Sequence, residues 1–257
     1  MKLPGFLRLT FRNIMVNLDV GTLMFMLGMP GLYLVVLGVM FQGIVPSVSS
    51  SNGSTSYLTF LTPGIVGMQT LTAGSIGAGM LWADRRWGMF EQIMVGPFER
   101  FEYLLGIVFV SIFFALVGSL IMLGFALTIP VVFNYSLMGV VAFIFTIITG
   151  TILFSSLFLI ISGIAKSMQA YQTITIVLFF LLDFASTAFY PETTSTPLWL
   201  QVISDLNPLT YISNVLRDSF IYGVSTTTFI SMGMIFVVMM VLFVISMFVY
   251  RNIRSGI

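Results

Sequence analysis

Apolar positions run in long blocks separated by short polar breaks, with almost no strict alternation between the two classes. A helix crossing a bilayer needs about 20 consecutive, mostly apolar residues. Six blocks meet that length: 21–44, 58–82, 103–127, 137–163, 170–189 and 224–250. The second is the least apolar, with Thr62, Gln69, Thr70, Thr72 and Ser75 set among Gly64, Gly67, Gly74, Gly77 and Gly79. Small and hydroxylated residues let helices approach and hydrogen bond, so this block is expected to face protein or a water-filled path rather than lipid. Ahead of the blocks, Leu3, Leu7, Phe11, Ile14 and Leu18 fall on one helical stripe, with Arg8, Arg12, Asn13 and Asn17 off it. That pattern predicts an interfacial helix over residues 1–19, with Asp19 and Gly21 at the elbow into the first block. The pattern as a whole predicts an all-α polytopic membrane protein with six transmembrane helices, forming a single domain over 1–257.

The connections differ in kind. Residues 45–56 are rich in Ser and Gly and read as a mobile loop, and Pro130 to Ser136 is a short link. Residues 190–223 are too long and too patterned for a plain loop. There "TPLWLQVISDL" is apolar for two turns, and "NPLTYISNVLRDSFIYG" places Leu209, Ile212, Leu216 and Phe220 at three- and four-residue spacing. Neither piece is long enough to span. Proline excludes the preceding residue from helical geometry and starts a helix well, so Asn207-Pro208 divides two short helices. Backbone at membrane depth must be satisfied internally, which predicts a helical hairpin packed on the spans.

Composition narrows the chemistry. Of 257 residues 58% are hydrophobic and 7% charged, against about 25% charged in a soluble domain. The chain has no cysteine and no histidine, which removes disulfides, thiolate metal sites, Ser-His-Asp and Cys-His catalysis and HExxH zinc chemistry. Lys2 and Lys166 are the only lysines and neither follows a GxxxxG run, so no P-loop is present. The net charge of +1 and the scattered basic residues do not suit nucleic acid. Arg8 and Arg12 interrupt any signal-peptide core. With six crossings and both termini cytoplasmic, Lys2, Arg8, Arg12, Arg85, Arg86, Arg100, Lys166, Arg251 and Arg254 all lie inside and only Arg217 outside, as the positive-inside rule requires. The hairpin of residues 190–223 then sits in the outer leaflet.

One concentration of charge stands out. Asp84, Arg85, Arg86, Glu91, Glu99, Arg100 and Glu102 lie between the second and third blocks. Each charge costs about 2.5–3.5 kcal/mol at the centre of a spanning helix, so the segment cannot lie in hydrocarbon. Gly96-Pro97 ends a helical stretch of residues 84–95 whose Trp87, Phe90 and Met94 recur at three to four. Two readings remain open: an interfacial helix with its aromatics among the headgroups, or a docking helix for a soluble partner.

The stretch "DRRWGMFEQIMVGPFERFEYLLG" resembles the cytoplasmic segment of ABC-2 type transporter permeases, in particular the drug and lipo-oligosaccharide exporter branch, through Asp84, Arg85, Gly88, Phe90, Glu91, Gln92, Pro97, Glu102 and Gly106. "NPLTYISNVLRD" is similar to a second family motif through Asn207, Pro208, Leu209, Thr210, Tyr211 and Arg217. Ile107 departs from the pattern, which often has a basic residue there. The resemblance implies a coupling helix at 84–98 that docks on a separate nucleotide-binding ABC ATPase, with Asp84, Arg85, Arg86, Trp87, Gly88, Phe90, Glu91, Gln92 and Pro97 at the contact. It also implies two ATPase copies, a second permease copy or paralogue, and re-entrant outer helices carrying Asn207, Pro208, Tyr211 and Arg217. ATP and Mg would bind the ATPase, leaving this chain without catalysis or cofactor. The expected activity is export of an amphipathic or lipid-linked substrate across the plasma membrane.

Gln69, Thr70, Thr72 and Ser75 are the polar pathway candidates on the second block, with interhelical hydrogen bonding as the competing role. Asp183 is the ionisable residue well inside a predicted span, and such residues are functional by default. It could pair with Arg217, or serve cation binding or proton coupling. Arg85 and Arg86 could instead pair with Glu99 or Glu102. Asn52-Gly-Ser and Asn134-Tyr-Ser fit the glycosylation pattern by chance or by use. Two other function classes stay open: an ion-coupled secondary transporter, which would need midplane ionisable residues and usually a repeat, and a membrane scaffold that recruits a soluble partner.

Overall fold

The computed structural model describes residues 4–44, 47–50, 53–96, 98–128, 133–134, 136–191 and 196–251. Helix α1 (Gly5–Asn17) precedes α2 (Val20–Leu32), a π-helical turn (Tyr33–Leu37) and α3 (Gly38–Ile44). Asp19 starts α2 by accepting from the backbone N–H groups of Gly21 and Thr22; these and the Thr22 hydroxyl hold its carboxyl below the ordinary range. A ribbon of β1 (Ser47–Ser50) and β2 (Gly53–Ser56) follows, paired antiparallel with Ser47 opposite Ser56 and Val48 opposite Thr55. Within the stretch read as a mobile loop, residues 47–50 and 53–56 thus pair as strands, and Val48 is buried.

Helix α4 (Tyr57–Arg86) is the axis of the molecule. Almost every side chain from Tyr57 to Trp82 is buried, against α6 (Arg100–Ala126), α7 (Leu137–Ile164) and α10 (Pro208–Arg217). Its glycines explain the fit. A Cβ on Gly74 would lie 2.7 Å from the Ser155 backbone nitrogen, and one on Gly67 would lie 3.2 Å from Ile212 Cγ2. The backbones of α4 and α7 touch only because the side chain is missing.

After α4 come α5 (Met89–Val95) and α6; beyond α7 come α8 (Met168–Phe184), α9 (Leu198–Leu206), α10 with a second π-helical turn (Asp218–Tyr222), and α11 (Thr226–Arg251). Four helical stretches among the described residues are long and apolar enough to cross a membrane: Val20–Leu37, Arg100–Ala126, Leu137–Ile164 and Thr226–Arg251. Met168–Phe184 is apolar but shorter. It ends five residues before the expected 189 because residues 185–190 form a turn, in which Ser186 donates to the Asp183 carbonyl at 2.8 Å and accepts from the Ala188 N–H at 3.2 Å. Helix α1 lies across the start of α6, where Gly106 allows Leu9 Cβ to come within 3.2 Å of the place a Cβ would occupy. Of the expected stripe, Leu7, Phe11 and Leu18 are exposed while Ile14 packs on the core, and the face of α1 turned to the protein carries Leu9 and Asn13. Leu3, Lys2, Asn52, Pro97 and Arg254 lie outside the described residues. Asn134 is exposed, with its N–H bonded to the Phe220 carbonyl at 2.6 Å.

Candidate functional site

The fold gathers the motif residues into two groups, at opposite ends of α4, with Gln69, Thr70, Thr72 and Ser75 along its middle. At the charged end, Asp84 Oδ2 accepts from Arg12 Nη2 at 3.0 Å and from the Tyr103 hydroxyl at 2.6 Å. This carboxylate joins α1, α4 and α6. Arg85 Nη1 donates to the carbonyls of Ser162 and Gly163 at 3.0 and 3.5 Å, capping the last turn of α7, where a cation is favoured by the helix dipole. Neither residue presents its charged group outward, and Arg85 turns to carbonyls rather than to Glu99 or Glu102. Glu102 instead accepts from the Glu99 N–H at 3.2 Å in a capping box that starts α6.

The segment expected as one helix over 84–98 is divided. Helix α4 carries straight through to Arg86, and Gly88, at φ 70°, turns the chain into the seven-residue α5. Only glycine takes this left-handed conformation without strain, which accounts for its place in the motif. The expected aromatic face is also split. Phe90 is buried, edge-on to Tyr103 and Tyr250 at 5.4 and 5.8 Å, and Ile93 is buried beside it. Trp87 is 81% exposed and Val95 is 90% exposed. Arg86, Glu91 and Gln92 share that exposed side. Phe90 therefore anchors α5 to the bundle, and the outward surface is Arg86, Trp87, Glu91, Gln92 and Val95. Tyr103 and Tyr250, which hold this arrangement, carried no signal in the sequence because each reads as one more aromatic in an apolar block.

The polar side chains of α4 turn inward. Thr70, Thr72 and Ser75 are buried and donate to carbonyls of their own helix, those of Gly67, Met68 and Thr72, at 2.6, 3.1 and 2.8 Å. Gln69 Nε2 reaches the Met26 carbonyl of α2 at 3.2 Å, while its Oε1 has no protein partner. These contacts are interhelical and intrahelical packing. The polar stripe that does face outward is on α8: Gln169, Gln172 and Thr173, all exposed. Their spacing of three and four within an apolar block was the signal that could have found them.

At the other end, the "NPLTY" residues build the helical hairpin. Asn207 Oδ1 accepts from the Leu209 N–H at 3.0 Å, and its Nδ2 donates to the Leu182 carbonyl of α8 at 2.7 Å. Pro208 opens α10, and the Tyr211 hydroxyl closes the pair of helices on the Asp205 carbonyl at 2.7 Å. Arg217 is buried and does not pair with Asp183. Its guanidinium donates to the carbonyls of Phe60, Thr187 and Ala188 at 3.1, 2.5 and 3.0 Å and to Asn214 Oδ1 at 3.0 Å, with the Phe60 ring 3.8 Å beneath it. Carbonyl dipoles and a ring face, rather than the Asp183 carboxylate, receive the guanidinium. Asp183 is also buried, and its Oδ1 has no protein partner.

Residues 5–221 match the model of the ABC-2 type transporter family. A protein of Cyanophora paradoxa named as transport permease ycf38 is 34% identical over 213 residues, which cover 79% of this chain and 68% of that protein. Its namesake in Porphyra purpurea is 26% identical over 255 residues, covering 91% of this chain and 83% of the other. The match takes in both groups of residues, the charged end and the helical hairpin, together with the apolar helices between them, and this multi-pass membrane permease belongs to the ABC-2 type transporter family.

Proposed function

We propose that the chain is the membrane-spanning subunit of an ATP-driven exporter, worked by a separate ABC ATPase that docks on α5. The observation that carries the reading is the build of the charged end. Arg86, Trp87, Glu91, Gln92 and Val95 form an exposed surface, while Phe90 and Ile93 seat α5 on the bundle and Asp84 fastens α1 and α6 to the same point. A large exposed aromatic ringed by charge suits a protein cleft, and an anchored base passes a push from that cleft into α4 rather than absorbing it. The motor's nucleotide chemistry, with ATP and Mg, belongs to the partner, since this sequence has no P-loop.

The reading takes six crossings, the four long apolar stretches with α4 and α8 added: residues 20–44, 57–86, 100–126, 137–164, 168–184 and 226–251. Helix α4 is less apolar than those four stretches because its glycines and hydroxyls serve protein contacts in the interior. An even number of crossings puts both termini beside the arginine-rich end, which the positive-inside rule assigns to the cytoplasm. Helices α2 and α8 together leave an apolar face uncovered, including Met24, Met29, Leu32, Ile176, Val177 and Phe180. Gln169, Gln172 and Thr173 are exposed in the first two turns of α8, at the charged end of that face. A second permease meeting this face encloses those polar groups and gives an amphipathic substrate a path between the two copies. Export, rather than uptake, rests on the resemblance to the exporter branch.

The test is whether an ABC ATPase of the same organism co-purifies with this chain. Trp87→Ala and Glu91→Lys are expected to release the ATPase while the permease stays folded. The engineered cysteine of Trp87→Cys is expected to react with a membrane-impermeant maleimide only from the cytoplasmic side. Labelling from the outside, or full ATPase retention by both variants, would refute the docking role.

A further inference from the structure

Helix α6 begins at Arg100 and α11 ends at Arg251, at the arginine-rich end of the bundle. Arg100 Nη1 donates to the Arg251 carbonyl at 3.2 Å, which brings these two exposed arginines together. From that point a groove of about 440 Å³ runs between the two helices. Leu104 and Tyr250, both buried, form its floor, and Phe101 and Phe248, both exposed, form its walls. Along α11 the lining continues from Arg251 to Val244, a descent of about 10 Å toward the middle of the helix at about 1.5 Å per residue. No acidic side chain lines the groove among the described residues, and the neighbouring Glu102 turns its carboxylate to the Glu99 N–H at 3.2 Å. A second groove, of about 520 Å³ beside the first half of α11, is the reverse case, bordered by Asp205 and with no cation in its described lining.

We propose that the groove between α6 and α11 binds an anionic phospholipid of the leaflet at the arginine-rich end, with the lipid phosphate at Arg100 and Arg251 and an acyl chain against Phe101, Leu104 and Phe248. The planar guanidinium fork matches phosphate oxygens, and basic pockets between spanning helices bind anionic head groups. A lone arginine at a helix end does no more than reach the head-group layer. Two arginines at the head of a groove that descends along apolar side chains match both halves of one lipid. The apolar lining sets the lipid apart from a free phosphate ion, which would leave that surface uncovered. The site depends on the chain's place in a membrane and on nothing in the export reading, and it goes beyond that reading.

The test titrates the delipidated full-length chain in detergent with dioleoyl phosphatidylglycerol or dioleoyl phosphatidylcholine, which share their acyl chains and differ in head-group charge, and reads the first bound lipid by native mass spectrometry. A cation beside an anionic head group is worth about fivefold in affinity, so two arginines should give the parent a preference for phosphatidylglycerol of roughly twenty-five-fold. Arg251→Gln, which leaves in place the carbonyl that Arg100 uses, should cut the preference to about fivefold, and adding Arg100→Gln should abolish it. Arg8→Gln, at an exposed position of α1 outside the groove, should keep the parent's value. Val244→Trp fills the groove without changing its charge and should weaken both lipids. Equal affinity of the parent for the two lipids, an undiminished preference in Arg251→Gln, an equal fall in Arg8→Gln, or unchanged binding in Val244→Trp would overturn the site. Displacement of phosphatidylglycerol by equimolar glycerol phosphate would overturn it too, because the acyl chain would then contribute nothing.

Discussion

Arg217→Ala removes the guanidinium that holds α10 to the first turns of α4 and to the turn after α8. The Thr187 and Ala188 carbonyls suffer most, because they lie in a turn and have no helical N–H to fall back on. A buried polar group left unsatisfied costs about 1–3 kcal/mol, and the lost stacking on Phe60 adds about 0.5–2 kcal/mol. Releasing the buried cation itself offsets part of this, so the net loss is about 3–5 kcal/mol, the range for breaking a buried charged network from one side. At about 2–4 °C per kcal/mol for a chain of this size, the thermal midpoint of the detergent-purified protein should fall by roughly 6–20 °C. Arg217→Lys keeps the charge but has neither the planar fork nor the stacking surface, so it should recover less than half of the loss. Because the chain has no cysteine, a Ser213→Cys reporter on α10, buried in the parent, can be titrated with a thiol reagent to follow detachment of the hairpin. A midpoint within 2 °C of the parent for Arg217→Ala, or equal midpoints for lysine and arginine, would refute the account.

Three further outcomes follow from the same geometry. Phe90→Ala should destabilise the chain by about 3–5 kcal/mol, as aromatic truncations in cores do, whereas Trp87→Ala should leave unfolding nearly unchanged and lose the ATPase, so thermal melts and pull-downs separate the two faces of α5. Gly74→Val should force α4 and α7 apart at a cost of about 1–3 kcal/mol or more, read as a lower melting temperature, while Gly124→Ala, with open space around its Cβ position, should melt like the parent. Asp84→Ala and Tyr103→Phe, each lowering the midpoint alone, should do so non-additively, with a coupling of about 0.5–3 kcal/mol in a double-mutant cycle. Strict additivity would show that the 2.6 Å bond between them does not join α4 to α6.

The sequence and the structure divide the molecule along a physical line. Long apolar helices, the Asn207-Pro208 break and the interior character of α4 were legible in the sequence, because each is a local preference of a segment for lipid, water or close helical contact. The apportioning of the charged segment was not. Trp87 and Phe90 are three residues apart and both aromatic, yet one is exposed and the other buried, and that follows from where Tyr103 and Tyr250 arrive from α6 and α11. In the same way Asp183 and Arg217 looked like a pair on charge alone, but the turn at residues 185–190 offers Arg217 two backbone carbonyls and leaves the Asp183 Oδ1 without a protein partner. Partition between solvents is decided segment by segment, so composition and apolar length alone determined that this chain is a helical membrane protein. Partnership is decided by which segments meet, and only the tertiary structure determined which of its few polar groups hold the fold and which remain open to something else.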